Sequence, residues 1–565
     1  MAEDEINRRS LLSKTGTLAV SGVALLAGCS GDSDDGGEND EDETPTPTEG
    51  MGFQTDESTE TGTEAETETE GDSGTSSTDR FGGEMIAGQE AAPTGFDPHN
   101  IGGDPTWRTN HNIYQKVIDR GDEIQMIGRL AESWEVSDDR MSHRATLREG
   151  VQFQEPEGGE LTADDVVYTW NRLLSDESNF AGGLSEFDSV EKTGEYEVEW
   201  HLNVKSVPAL QKQFFGWVLP ENAADNYNLN ETSVGTGPFS LEEFVSNNKA
   251  VLTKHENYWE TDENGDQLPY LDQVELRAIP EPSSRATNIQ SGTIQQLFKT
   301  PPSQFGKLQD DDNVKTYQKP SSQFIHVLLN TRLDKLSDKR LRQAIAHSFS
   351  REEIVDAGYF GFATPTTKGI HPLHPIHDDV QADNVRGEDL DKAKELVEES
   401  DYDGETIGIA AAQGHAGEVA GAEIMQANLQ EIGVNAEIEL VDQSTWVSDI
   451  RFAPDFDFDV AFTLQGGRVA PAALYQFWTP GSGRNSPGFD NEEFTTKVQE
   501  MASEFDNEAR AEIATELEEM LWEEVPIIPV LYANSLGATT QNVEGYKLAV
   551  STAWSQRFKN VWFNE

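Results

Sequence analysis

Cysteine is almost absent from this sequence of 565 residues, since Cys29 is the single one. One thiol cannot form an intramolecular disulfide bond or a thiolate metal cluster, so both are excluded. A cysteine nucleophile is excluded from the whole chain after position 29. With 35% apolar residues the chain can still bury a sizeable core, and its length predicts two or more domains.

Basic residues are also scarce: 41 lysines and arginines stand against 104 aspartates and glutamates, a formal net charge of −63. Such a surface repels nucleic acid and anionic lipid, so neither is expected as a partner. The acidic excess is either a surface for cations or a way of staying solvated in a very salty medium. Acidic residues occur along the whole chain, which favours the second, because 1 M salt screens charges within about 3 Å. We therefore expect a halophile-type surface.

Motifs typical of common enzyme classes are missing as well. The sequence has no G-x-S-x-G nucleophile elbow, no phosphate-binding P-loop and no H-E-x-x-H zinc motif. Its many carboxylates show no spacing that selects a catalytic pair. We expect a protein that is not an enzyme and that needs no cofactor.

Long apolar runs are missing, and the most apolar one, residues 18–27, is short. About ten residues span about 15 Å as a helix, whereas the hydrocarbon core of a bilayer is about 30 Å thick. We therefore predict a signal peptide over residues 1–29, in which Arg8 and Arg9 match the twin-arginine export signal. The residues before Cys29 resemble a lipobox, so Cys29 is expected to carry a lipid anchor. The alternative is an ordinary buried cysteine.

Residues 30–80 are rich in Glu, Asp, Thr and Gly and almost free of apolar side chains. A segment of this kind cannot bury enough apolar surface to offset the entropy of ordering it. We expect an acidic disordered tether between the lipid anchor and the folded part, which begins near Phe81.

The rest of the chain alternates between strand and helix patterns. Residues 194–202 and 273–279 alternate apolar and polar side chains as strands do. Residues 405–411, 417–432 and 434–441 form a predicted strand, helix and strand unit. This order indicates an α/β fold with parallel strands in a covered sheet.

A series of short segments carries a family resemblance. In chain order they are LAESWEVSDD (130–139), LREGVQF (147–153), LTADDVVY (161–168), VGTGPF (234–239), NYW (257–259), DKRLRQAI (338–345), DLDKAKEL (389–396) and PIIPV (526–530). Together they resemble the extracellular solute-binding proteins, family 5, of ABC importers for peptides, oligopeptides and nickel. The agreement runs from about residue 83 to 550, but it concerns architecture and leaves the ligand open.

The resemblance implies a two-lobed periplasmic-binding-protein-like α/β fold, class II and of the large peptide-binding type, with a hinge and an interlobe cleft. The expected first lobe comprises residues 81–280 and 526–565, and the expected second lobe residues 281–525. It also implies a lipid-anchored monomer on the extracellular face of the cytoplasmic membrane. We expect it to deliver a peptide-like solute to a permease and its ATPase. The alternatives are a binder of an oligosaccharide or nickel chelate and a solute-sensing receptor.

The resemblance further implies where the ligand binds. In peptide-binding relatives an aspartate of the second lobe pairs with the amino terminus of the peptide; here Gly467 stands at that position, followed by Arg468. An arginine there can bind a carboxylate or phosphate, or lie in a surface loop. Segments 96–107, 324–330 and 465–475 approach the cleft in relatives. The candidate contacts are Trp107, Asn330, Trp446, Gln465, Gly466, Gly467, Arg468 and Tyr475.

Three histidines lie close together in the sequence HPLHPIH, namely His371, His374 and His377. Three imidazoles suit nickel or zinc, which makes them a candidate metal site. Pro372 and Pro375 favour instead an extended, rigid loop near the hinge that holds the rings apart. We favour the loop interpretation.

Replacing Cys29 with alanine is expected to release the protein into the medium, because the lipid loses its attachment point. Membrane and medium fractions of cells that produce the full chain measure this, with Ser30→Ala as the control. Retention of Cys29→Ala in the membrane fraction contradicts the lipid anchor.

Overall fold

The computed structural model describes residues 80–121, 125–382, 387–442, 445–446, 450, 458–466, 470–550 and 558–564. The predicted signal peptide with Arg8, Arg9 and Cys29 lies outside the described residues, as do the predicted tether up to residue 79 and the pair Gly467 and Arg468. Among the described helices, none is both long enough and apolar enough to cross a bilayer.

The first lobe contains most of the chain before residue 314. Its strands are β1 (Glu84–Gln89), β2 (Ile118–Arg120), β3 (Met126–Gly128), β4 (Ala131–Val136), β5 (Ser142–Leu147), β6 (Phe187–Gly194), β7 (Glu197–Leu202), β8 (Phe239–Val245), β9 (Lys249–Lys254), β10 (Gln273–Ala278) and β11 (Gln296–Leu297). Its helices are α1 (Asp104–Ile113), α2 (Ala163–Leu173), α3 (Val207–Lys212), α4 (Ala223–Asn226), α5 (Pro282–Gln290) and α6 (Pro302–Gln309).

The long strand β12 (Val314–Leu329) leads into the second lobe. The strands there are β13 (Ala363–Pro365), β14 (Ile407–Ala412), β15 (Ala436–Val441) and β16 (Val460–Gln465). The helices are α7 (Asp334–Ser337), α8 (Lys339–His347), α9 (Arg351–Tyr359), α10 (Leu390–Glu399), α11 (Ala416–Glu431), α12 (Pro471–Tyr475), α13 (Glu492–Ser503) and α14 (Asn507–Glu524). Strand β17 (Ile527–Thr540) returns to the first lobe, where β18 (Val543–Glu544) pairs with β19 (Trp562–Phe563).

One sheet runs through both lobes, in the strand order β15-β14-β16-β12-β17-β11-β1-β10-β9-β8, with β13 paired to β17. Strands β12 and β17 pair antiparallel from Val314 opposite Thr540 to Leu328 opposite Ile527. The same two strands therefore belong to both lobes, and they are called the crossing strands below. A register shift after Pro320 interrupts their pairing at the level where one lobe gives way to the other.

Burial follows the alternation of side chains along β12. Ile325, Val327 and Leu329 pack on one face of the second-lobe sheet in the same core as residues of α8, α9 and α11. Phe324 and Leu328 pack on the opposite face in a core shared with α13 and α14. Helices therefore cover both faces of this sheet, as is usual where parallel strands are present.

The predicted strand, helix and strand unit in the second half is confirmed. Strands β14 and β15 pair in parallel, Ile407 opposite Ala436, and α11 connects them. The α/β class and the two-lobed architecture are confirmed as well.

The expected lobe boundaries differ from those in the structure. After Ile279 the chain stays in the first lobe, because α5, β11 and α6 contribute Ile289, Leu297 and Leu308 to a core with Ile86 of β1. The crossing therefore lies within β12 and not near residue 280. The chain returns to the first lobe within β17 and not at residue 526, because the first half of β17 packs in the second-lobe core.

Glu518 of α14 is fully buried in the second lobe. Its Oε1 accepts hydrogen bonds from Tyr475 Oη at 2.5 Å and from the Gly369 backbone N–H at 2.6 Å. Burial raises the pKa of Glu518 to about 7, and these two hydrogen bonds and the charge of Lys368 only partly oppose the increase.

A Glu518→Gln variant is expected to gain stability relative to the wild type as pH rises from 5 to 8. The folded-state pKa lies above the value of 4.5 in the unfolded chain, so ionisation of Glu518 weakens the fold as pH rises through about 7. The free energy of unfolding of the variant relative to that of the wild type is expected to rise by at most about 3 kcal/mol over this range.

Chemical denaturation of both proteins across this pH range measures the effect, and Glu512→Gln on the exposed face of the same helix is the control. Identical pH profiles for Glu518→Gln and the wild type contradict the assignment.

Candidate ligand-binding site

The carboxyl ends of the parallel strands in the two lobes face each other. In the first lobe β1 and β11 are parallel and end at Gln89 and Leu297, and β11 lies antiparallel to β17. In the second lobe β14 and β16 are parallel and end at Ala412 and Gln465, and β16 lies antiparallel to β12. The crossing strands β12 and β17 run in opposite directions, and each sets the direction of the strands paired with it. The carboxyl ends of the first-lobe strands therefore point toward those of the second-lobe strands, and the two sets meet at one cleft. Ligands of open α/β sheets bind at such ends.

A cavity of about 360 Å³ lies in this cleft against the crossing strands. The first lobe contributes the residues between β11 and α6, which include Lys299 and Thr300. The crossing strands contribute Ser321 and Asn534 among others, and the second lobe contributes the turn from β14 into α11. Both lobes and the crossing strands therefore line one cavity, and a ligand that holds the lobes together has to contact all three.

Three helices begin at the cavity wall: α5 at Pro282, α6 at Pro302 and α11 at Ala416. Their first turns carry unpaired backbone N–H groups and the positive end of the helix dipole. Proline at the first position suits such a start, because the missing N–H has no partner there in any case. The backbone around the cavity therefore favours negative charge, with Glu418 in the first turn of α11 as the acid already in place.

Glu418 and Tyr359 lie side by side in the second-lobe wall. Glu418 is 2% exposed, and its Oε1 lies 2.9 Å from Nδ1 of His415. Burial, and then the charge of Glu418, raise the pKa of Tyr359 well above its usual range, so the hydroxyl stays protonated. Only glycine fits at position 417, because a Cβ atom there lies 2.5 Å from the Tyr359 ring.

An aromatic cluster lines the first-lobe side near the start of α1. The half-buried ring of Trp107 lies 4.5 Å from Trp217, 5.7 Å from Phe180 and 6.1 Å from Phe215 between ring centroids. These four residues are called the aromatic wall below. Trp217 is fully buried, whereas the rings of Trp107, Phe180 and Phe215 are half-buried and supply the apolar surface of the wall.

The loop that leads into α1 is held by a buried ion pair. Asp97 accepts hydrogen bonds from Arg172 Nη1 at 2.9 Å and Nη2 at 2.7 Å, a bidentate arrangement. Burial alone would raise the pKa of Asp97, but the hydrogen bonds and charge of Arg172 outweigh it and lower the pKa. Asn100 also donates to Asp97, at 3.0 Å. The loop is therefore fixed to α2 before it reaches Trp107.

The aromatic wall meets the second lobe at the start of α12. Phe215 and Lys212 line a small pocket together with Ala470 and Ala473. Phe215 of the aromatic wall thus lies close to the N-terminal end of α12 in the second lobe.

Three candidate contacts are buried in the second-lobe core. Asn330 is 1% exposed and its Nδ2 donates to Phe458 O at 3.1 Å. Trp446 is fully buried and packs 5.6 Å from the ring of His415. Tyr475 is bound to Glu518 as described above. Their side chains therefore pack in the core behind the second-lobe wall of the cleft and have almost no surface exposed to a ligand.

Gln465 and Gly466 lie at the end of β16, where the strand reaches the cleft. Gln465 is 8% exposed and its Oε1 accepts from Arg484 Nη1 at 3.0 Å. The guanidinium of Arg484 in turn lies 4.6 Å from the centroid of Phe477. The second lobe therefore places the guanidinium of Arg484 at the end of β16.

The three histidines of the HPLHPIH loop have separate environments. Nε2 of His371 lies 3.0 Å from the carbonyl oxygen of Ser321 in β12, Nδ1 of His374 accepts from the Ile376 N–H at 3.3 Å, and His377 lies against Asp378. Burial lowers the pKa of His371 to about 4 and that of His374 to about 3. The loop thus contacts a crossing strand through His371, and its role as a rigid loop near the hinge stays a prediction.

Metal-ligand geometry is found elsewhere. Across the described part of the chain, the one group of three close candidate ligand atoms is Glu191, Glu199 and His201, on the outer four-stranded sheet of the first lobe. The histidine loop does not form such a group, because each ring is turned to its own partner.

Sequence patterns missed Glu418, Tyr359, Lys299 and Ser321 as cavity residues. Position alone offers a clue for Glu418, since it follows the Gly414 turn between a parallel strand and a helix, where ligand sites concentrate. The sequence carries no comparable signal for Lys299, because its place in the cavity wall depends on the assembly of both lobes.

Comparison with known proteins agrees with this geometry. Residues 125–486 match the family described as bacterial extracellular solute-binding proteins, family 5 Middle. Since that is more than half of the chain, the protein belongs to the family 5 extracellular solute-binding proteins.

Relatives and solved structures of this class cover nearly the whole described chain. The glutathione-binding protein GsiB of Salmonella paratyphi A is 23% identical over 484 residues, 82% of this chain and 91% of GsiB. The periplasmic binding protein DppA of Helicobacter pylori, solved with the peptide STSA, has a TM-score of 0.73 at 23% identity and covers 86% of this chain and 99% of DppA. NikA of Staphylococcus aureus, solved with Ni(L-His)2, has a TM-score of 0.70 at 17% identity, with 85% and 100% covered. GsiB is thus named for glutathione binding, DppA was solved with a peptide and NikA with a nickel chelate.

A contact far from the crossing strands also joins the lobes. The guanidinium of Arg140, at the tip of the β4–β5 hairpin, lies 4.9 Å from the ring centroid of Phe505, between α13 and α14. Since the two residues belong to different lobes, the contact joins the lobes in this structure.

Arg140→Ala is expected to raise the Kd of the bound solute about two- to fivefold, because the closed state loses a cation–π contact of about 0.5–1 kcal/mol. Titration calorimetry measures the change. Arg144→Ala is the matched control, since Arg144 lies on the same hairpin and pairs within its own sheet with Glu199. Equal Kd values for Arg140→Ala and the wild type contradict the role of the contact in closure.

Proposed function

We propose that the protein is the receptor of an ABC importer, which captures a short peptide or peptide-like solute outside the cell and presents it to a permease. The lipid on Cys29 holds it at the membrane, and the acidic tether lets the two lobes reach the transporter. No chemistry takes place in the cleft; the ATPase supplies the energy for transport.

The observation that carries the proposal is the cavity between the lobes. It is closed by both lobes, lies at the carboxyl ends of the strands and combines apolar walls with a few polar groups, as small-molecule sites do. Its size, about 360 Å³, lies near the lower limit of the usual range of about 300–1,000 Å³. Glutathione and the tetrapeptide STSA, bound by GsiB and DppA, are solutes of the matching class.

A nickel chelate is the second candidate, because NikA shares the fold and His415 and Glu418 lie together in the cavity wall. An oligosaccharide would instead stack on the aromatic wall, and a solute-sensing receptor would use the same cleft without transport.

Mass spectrometry of the full chain under native conditions is expected to show a peptide that co-purifies with it. A mixture of tripeptides is expected to raise the melting temperature, since ligand at one hundred times Kd stabilises the folded state by about 2.7 kcal/mol. Bis-histidine nickel and an oligosaccharide mixture serve as the comparison solutes.

A shift with nickel–histidine or the oligosaccharides but none with the tripeptides contradicts peptide capture and supports the solute class that produced the shift. No shift with any of the three, and no co-purified small molecule, contradicts solute capture itself.

A further inference from the structure

One asparagine of the first lobe stands in a modification motif that solute capture does not use. Asn230, Glu231 and Thr232 form the triplet Asn-x-Thr, and no other asparagine in the sequence is followed two positions later by serine or threonine. Asn-x-Ser/Thr, with any central residue except proline, is the acceptor pattern for attachment of a sugar to the asparagine nitrogen. The pattern has meaning where the side chain lies in a surface loop of a protein that leaves the cytoplasm.

The fold presents this triplet on a turn that is anchored in the core. The turn follows α4, and Leu229, which is 4% exposed, packs in the core of the first lobe. The N–H groups of Glu231 and Thr232 donate to the carbonyl oxygen of Asn228 at 2.9 and 3.0 Å. The N–H of Asn230 donates to Oδ1 of Asn228 at 3.2 Å. Since Asn230 and Glu231 are exposed, the acceptor is reached without any unfolding of the chain.

The carboxamide of Asn230 is oriented with its nitrogen outward. A Cβ atom at Gly95, in the loop before α1, would lie 2.4 Å from Oδ1 of Asn230 and 3.2 Å from its Cγ, so the carboxamide oxygen packs directly on the glycine backbone. Nδ2, the other atom on Cγ, therefore points away from that loop. The carboxamide has no hydrogen-bond partner among the residues that the structure describes. No contact within the described chain thus competes with a sugar for Nδ2.

The turn also lies far from the hinge. Oγ of Ser233, the residue after the triplet, accepts a hydrogen bond from the Leu241 N–H at 2.9 Å, so the turn lies beside β8. Strand β8 is at one end of the main sheet, five strands from β17. At about 4.8 Å per strand, the turn lies roughly 24 Å from the crossing strands. A bulky group on Asn230 therefore leaves the hinge clear.

We propose that Asn230 is a glycosylation site, to which a membrane enzyme transfers a sugar chain from a lipid-linked donor outside the cytoplasm. Nδ2 forms a bond to the anomeric carbon of the sugar, and the bond between that carbon and the phosphate of the lipid carrier breaks. The lipid phosphate leaves with the bonding electrons, and the amide nitrogen gives one proton to a base of the enzyme. The inference goes beyond solute capture, and it rests on the extracellular location that the proposed function requires.

The test uses the full chain, produced with its own export signal in cells of the organism that encodes it. Trypsin releases residues 213–249 as one peptide, because no lysine or arginine lies between Lys212 and Lys249. Mass spectrometry is expected to find this peptide heavier than its sequence by whole sugar residues. Fragmentation of the peptide is expected to place the added mass on Asn230.

Four variants assign the added mass to the motif. Asn230→Gln and Thr232→Val are each expected to lose it completely, because the first displaces the amide nitrogen by one methylene group and the second removes the hydroxyl. Thr232→Ser keeps the hydroxyl and is expected to keep the sugar. Asn226→Gln, at an exposed asparagine of the same peptide but outside the motif, is the matched control and should carry the sugar as the wild type does. Should Asn230→Gln fail to reach the outside of the cell, Thr232→Val against Thr232→Ser still tests the motif.

The remaining outcomes separate this inference from the proposed function. A peptide 213–249 at its sequence mass, in protein recovered from outside the cytoplasm, overturns the inference and leaves solute capture standing. A sugar that persists in Thr232→Val, or one that is found only on the tether, also overturns it, because the motif then does not direct the attachment. Unmodified protein that stays inside the cell contradicts both the inference and an extracellular receptor.

Discussion

The antiparallel pairing of β12 and β17 is the constraint on which the rest of the structure depends. These strands extend from the core of one lobe to the core of the other, so they set the direction of every strand beside them. The carboxyl ends of the parallel strands consequently converge on one cleft, and the helices that follow those strands begin at its wall. The register shift after Pro320 interrupts the pairing locally, where the two strands can bend while the sheet stays continuous.

Charge within the cleft is distributed differently from charge on the surface. The chain as a whole carries −63, yet the first-lobe wall presents Lys299, a buried threonine hydroxyl and a helix start, and the second-lobe wall presents one unsatisfied carboxylate.

Local patterns predicted one unit of the second lobe, formed by β14, α11 and β15. Periodicities of 2 and 3.6 residues locate β14, α11 and β15 within a few residues, but Leu440 of β15, which the alternation places on the same face as the buried Ala436, is 50% exposed. The crossing between lobes could not be found in this way, since β12 continues as one strand through the boundary. Pro280 and Pro526 mark strand ends only, and a proline after a strand does not show which lobe follows.

The candidate site shows a similar limit. Trp446 and Tyr475 have the size and chemistry of ligand contacts, but their burial depends on helices far away in sequence. Glu418 resembles any acid in the first turn of a helix, and its unsatisfied oxygen is visible only once the cavity is assembled.

The central claim, that the lobes close on a solute about the crossing strands, is tested most directly by a distance across the cleft mouth. Spin labels on Asp138→Cys and Ser503→Cys, both exposed and on opposite lobes, report it by double electron–electron resonance in a chain whose single native thiol is replaced. The account predicts a broad or long distance distribution without ligand and a narrow, shorter one with saturating free-ended tripeptides. The same distribution under both conditions would contradict it.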